Sequence, residues 1–66
     1  MLGQKIKKIR ELKNFTQEYM AENLEISQPA YSKLEKGEIK VSDEKLIQIA
    51  NILQMSPEDV AQFDDQ

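Results

Sequence analysis

The 66-residue chain contains no cysteine, no histidine and no tryptophan. Disulfides, thiolate or imidazole metal sites and histidine-based acid–base catalysis are therefore excluded. Only two glycines occur, Gly3 and Gly37, too far apart to form a glycine-rich phosphate loop. The carboxylates fall on helix faces expected to be exposed, so no enzymatic activity, cofactor or metal is expected. No apolar run reaches the ~18 residues of a membrane span, and MLGQKIKKIR lacks the apolar core of a signal peptide. A chain free of disulfides suits a reducing cytoplasm, which is the expected location, with no membrane partner. This length supports one domain, 1–66, with a limited core.

Basic residues are missing from one end. All nine Lys and Arg lie in residues 1–45, against eight acids, a balance of +1. Residues 46–66 carry four acids and no base, so the net charge of −3 is concentrated there. That acidic end can face away from a polyanion while Lys33, Lys36 and Lys40 gather near one helix.

What is present is helical periodicity. Leu2, Ile6, Ile9 and Leu12 predict a first helix from about Gly3 to Lys13. Lys5, Lys7, Lys8, Glu11 and Lys13 read as its solvated surface, whereas Arg10 flanks the apolar stripe. Asn14 suits a left-handed stop. Thr16 caps a second helix, Gln17–Leu24, with Phe15 placed to pack on Met20 as a hydrophobic staple. Gln17 sits at its first position with an unpaired N–H, a ready anion site. Glu25-Ile26-Ser27 is too short for a wandering loop, so a third helix, Gln28–Lys36, must cross the second steeply. Ser27 caps it, Pro29 is tolerated in its first turn, and Gly37 ends it. Met20, Ala21, Leu24, Tyr31 and Leu34 face inward, with Ile26 at the corner. Gln28, Pro29, Ser32, Lys33 and Lys36 remain outward, a row without a carboxylate. Ile39 in the connector is expected to be buried. Ser42 caps a fourth helix with Leu46, Ile49, Ala50 and Leu53 inward and Ile47 and Ile52 at its edges. Ser56-Pro57-Glu58-Asp59 starts a fifth, running to about Phe63 before fraying into 64–66. No strand pattern is found. The expected architecture is all-α, a compact five-helix bundle containing a helix-turn-helix at 17–36.

TQEYMAENLEISQPAYSKLEKG, followed by SDEKLIQIANILQMSPEDV, resembles the Cro/phage-repressor-type (Xre-like) helix-turn-helix family of bacterial transcription regulators. The resemblance covers about residues 3–61. It implies a regulator that binds double-stranded operator DNA, with a palindromic site and a homodimer on it, and the third helix in the major groove. Carried onto this sequence, it implies base contacts from Gln28, Pro29 and Lys33, and phosphate contacts from Thr16, Gln17, Ser32, Lys36 and Lys40. Ser32 is ambiguous, because it also suits a tight packing site. The resemblance further implies a partly buried salt bridge between Arg10 and Glu35, with Tyr31 in the core. Phe63, three residues after Val60 on a short helix whose core has room for Val60, is the expected dimer anchor.

Three positions depart from the family pattern. Glu25 and Gln54 stand where Gly is common. If left-handed, each costs about 1 kcal/mol. Pro29 replaces a polar base-reading side chain and offers only apolar contact, for instance to a thymine methyl. The acidic C-terminal segment and the edge residues Ile47, Ile52 and Phe63 motivate a second reading, an antitoxin or other protein-interaction module on the same fold.

Overall fold

A computed structural model describes residues 1–64. Five helices follow in order: α1 Leu2–Leu12, α2 Gln17–Leu24, α3 Gln28–Lys36, α4 Asp43–Leu53 and α5 Pro57–Ala61. No strand occurs among the described residues, and no helix there is long and apolar enough to cross a membrane.

The helix ends explain why the elements fall where they do. Thr16, Ser27, Ser42 and Ser56 each accept a hydrogen bond from a backbone N–H three residues on, those of Tyr19, Ala30, Lys45 and Asp59. A cap of this kind is worth about 1 kcal/mol. Only α1 starts without one, since Met1 offers no side-chain oxygen. The C-terminal ends of α1 to α4 share one device. The N–H groups of Phe15, Ile26, Glu38 and Met55 reach back five residues to the carbonyls of Arg10, Ala21, Lys33 and Ala50. This closure needs a left-handed residue just before the donor. Asn14, Glu25, Gly37 and Gln54 supply it, with φ of 62°, 59°, 80° and 60°. Glu25 and Gln54 are therefore left-handed despite their side chains.

Ile6, Ile9, Met20, Ala21, Leu24, Tyr31, Leu34, Ile49, Ala50, Leu53 and Val60 form one buried cluster. α1 packs on α3 and α5, α2 on α3 and α4, and α4 on α5. α1 and α3 approach closely at Gly3. A Cβ on Gly3 would meet the Leu34 carbonyl oxygen at 2.4 Å and that of Glu35 at 2.6 Å. Gly3 is thus an interior contact of α1, not merely its first residue. Lys5, read from sequence as solvated, is half-buried and donates from Nζ to the Ala61 carbonyl at 2.6 Å, tying α1 to the end of α5.

Several expectations need correction. Leu12 is 70% exposed. At about 100° per residue, Leu2, Gly3, Ile6, Ile9 and Arg10 share one face of α1, and Leu12 lies a third of a turn from Ile6. Arg10 takes the inward place instead. Ile39 is 41% exposed, because the closure at Gly37 turns it outward and half-buried Val41 packs on the core. Besides packing against the buried cluster that contains Met20, Phe15 stacks obliquely on Tyr19, ring centroids 4.6 Å apart, a contact not expected from sequence. α5 stops at Ala61, short of Phe63. The fraying expected at Asp65 and Gln66 falls outside the described residues.

Gly3→Ala should destabilise the fold by about 1–3 kcal/mol, since backbone rather than a movable side chain blocks the methyl and α1 must lift from α3. Urea unfolding measures this; an unchanged midpoint would remove the close approach. Glu25→Gly and Gln54→Gly should each raise stability by up to about 1 kcal/mol, because relief of left-handed strain exceeds the added unfolded-state entropy. Thermal melts that fall for both variants would contradict this.

Candidate nucleic-acid interface

Gln28, Pro29, Lys33 and Lys36 are exposed on α3, and Ser32 is half-buried beside them. The acid-free row has a structural cause. Glu35, the lone acid of α3, turns inward and is only 3% exposed. There it meets Arg10, itself 8% exposed, whose Nε donates to Oε2 at 2.7 Å and whose Nη2 donates to Oε1 at 3.3 Å. Arg10 Nη1 also donates to the Phe15 carbonyl at 2.8 Å, fixing the turn before α2. One arginine therefore joins three elements.

The pair extends to the surface. Gln17 Nε2 donates to Glu35 Oε1 at 2.9 Å, and Gln28 Nε2 donates to Gln17 Oε1 at 2.6 Å. The first residues of α2 and α3 are thereby bonded across the turn. Sequence reasoning placed Gln17 and Gln28 separately and missed this chain. Two glutamines at adjoining helix starts, separated by a three-residue turn, were the available signal. The chain commits the Gln17 side chain and leaves its backbone N–H without a partner among the described residues. Thr16 is exposed, its Oγ1 occupied as acceptor from the Tyr19 N–H. Lys36 and Lys40 are exposed, and among the described residues neither they nor Lys33 pairs with an acid. Phe63 is not brought to this face. It is half-buried against the core edge, in a different cleft lined also by Gln4 and Lys5.

Electrostatics inside the site are set by burial and pairing. Burial opposes ionisation of Glu35 most strongly, yet the Arg10 hydrogen bonds, with Gln17 and the neighbouring Tyr31 hydroxyl, hold its carboxyl below the ordinary value of 4.5. The Arg10 guanidinium is pushed further up by its bonds to Glu35, against burial. Tyr31 is fully buried, and its hydroxyl lies beside this pair without a well-aligned partner. Burial first, and then the Glu35 carboxylate, push that phenol far above its usual range.

Residues 6–60 match the family described as Helix-turn-helix. The chain is 41% identical over 56 residues to the "Uncharacterized HTH-type transcriptional regulator YqaE" of Bacillus subtilis (strain 168), a match covering 85% of this chain and 48% of that protein. The chain thus spans about half the length of the curated relative it matches. No solved structure gives a significant match.

Arg10→Met should cost about 3–5 kcal/mol, because it leaves a buried carboxylate uncompensated. The sign with pH follows from Glu35. Its folded pKa lies below the unfolded one, so the pair stabilises above the unfolded value and loses that stabilisation as pH falls through the folded value. The stability gap between wild type and Glu35→Gln should be widest near neutrality and shrink below about pH 4.5. Denaturant titrations at pH 7 and pH 3 test this; a constant gap would mean the carboxylate charge is immaterial.

Proposed function

Because the chain belongs to the helix-turn-helix family, we propose that it is a DNA-binding transcription regulator that inserts α3 into the major groove. The observation that carries this reading is the acid-free outer row of α3, with Glu35 withdrawn into the Arg10 pair. Gln28 presents an amide for adenine, Lys33 reaches guanine O6 and N7, and Pro29 offers apolar contact to a thymine methyl. Gln17 serves a backbone phosphate through its free N–H at the positive end of α2. Thr16, Ser32, Lys36 and Lys40 complete the phosphate set. The Gln28–Gln17 bond holds the reading amide in a fixed direction, lowering the ordering cost on binding.

One recognition helix spans few base pairs. A homodimer on a palindromic operator, with α3 helices about 34 Å apart in successive grooves, supplies the rest. Phe63 and the start of α4 through α5 are the surfaces assigned to that contact. The reading is of a cytoplasmic, non-enzymatic protein. A second reading, a protein-interaction module with DNA binding secondary, draws on Ile47, which is 52% exposed on α4.

Gln28→Ala and Lys33→Ala should weaken binding to a selected duplex far more than to a scrambled one, by about 1–3 kcal/mol each for the matched site. Lys36→Ala and Lys40→Ala should weaken both duplexes alike. Fluorescence anisotropy at two salt concentrations distinguishes the classes. Equal losses on both duplexes for all four variants would overturn the assignment, and no duplex binding by wild type would favour the protein-interaction module.

A further inference from the structure

Resting on the DNA-binding reading, we propose that Lys7 of α1 is a further backbone contact, gripping a phosphodiester in a cleft where three helices meet. The cleft, about 290 Å³, is lined by Met1 ahead of α1, Gln4 and Lys7 of α1, Gln17 of α2, and Ser32, Glu35 and Lys36 of α3. It therefore joins the first helix to three of the residues assigned above to phosphates.

The geometry of α1 puts Lys7 there. Gly3 lets α1 approach the α3 backbone at a distance no other side chain permits. Lys7 lies about 40° round the helix from Gly3, on the α3 side, and Gln4 lies a further 60° on. Lys5 falls on the opposite flank, where it bonds Ala61, and Lys8 points away from both. The close crossing thus makes Lys7, of the three α1 lysines, the neighbour of α3.

Charge favours an anion in this cleft. Lys7 and Lys36 are exposed, and neither pairs with an acid among the described residues. The only carboxylate in the lining is Glu35, buried and already matched by Arg10. The lining side chains thus carry two positive charges without an acid partner, in a protein of net charge −3. Gln4 and Ser32 add neutral donors of the kind that bind phosphate oxygens. A compact ammonium on a long flexible stem suits a phosphate as a point charge.

The test measures the dependence of duplex affinity on salt for wild type, Lys7→Gln and Lys8→Gln, which remove the same charge on different faces. Lys7→Gln should weaken selected and scrambled duplexes by the same factor and lower the log–log salt slope by about one per subunit, while Lys8→Gln leaves the slope unchanged. Inorganic phosphate added at constant ionic strength separates the sources of the anion. Phosphate binding that depends on Lys7 but leaves duplex affinity unchanged would mean the cleft takes free phosphate, and would overturn the assignment to the duplex backbone. Equal effects of the two variants, or an unchanged slope for Lys7→Gln, would reduce Lys7 to a general field effect and overturn the proposal. Failure of wild type to bind any duplex would instead strike the DNA-binding reading on which this one rests. Both side chains are exposed, so unchanged melting temperatures serve as the folding control.

Discussion

The rest of the structure depends on the buried Arg10–Glu35 pair. Two ions removed from water repay their desolvation only if their geometry is good and their remaining bonding capacity is met. Here both conditions hold. The guanidinium makes two contacts to the carboxylate and a third to the Phe15 carbonyl, and the carboxylate takes a further bond from Gln17. The pair locks α1 to α3 and orients the turn that launches α2. It also removes the one acid of α3 from the outer surface, so the same interaction organises the packing and leaves the projecting row without a carboxylate.

Helix content and helix ends were largely legible. Hydroxyl caps at Thr16, Ser27, Ser42 and Ser56 are local signals, because the acceptor and its donor lie three residues apart. The core residues of α2 and α3 followed from spacing alone. What spacing could not show was which of several neighbouring positions on α1 faces in. Leu12 and Arg10 compete for that role, and hydrophobicity favours the leucine. The partner waiting on α3 decides for the arginine, and that is a tertiary fact. Ile39 failed for a related reason, since the backbone closure at Gly37 dictates the direction of the chain after α3 whatever side chain follows.

The candidate site was legible as a roster of residues rather than as a connected object. Gln28, Lys33 and Lys36 could be assigned to one face by periodicity. The bonds linking Gln28 to Gln17 and Gln17 to Glu35 span different helices, and no pattern within one helix encodes them. Gly3 behaves similarly. Its missing Cβ is visible in sequence, but its purpose appears only when the carbonyls of Leu34 and Glu35 are seen against it.

The separation of charge along the chain gives the molecule a permanent electrical direction. α3 packs on α1 and α2, while α4 and α5, with Asp43, Glu44, Glu58 and Asp59, pack on α2 and α1. Seen from beyond a Debye length, about 8 Å at physiological salt, a highly charged anionic rod meets little more than a weak net repulsion. Nearer than that it meets whichever face is turned toward it. On the proposed DNA-binding reading, an encounter with the acidic end leading is rejected, and one with α3 leading is drawn in. The protein would then be rotated before it is bound, and adding salt should disorder its approach as well as loosen its hold.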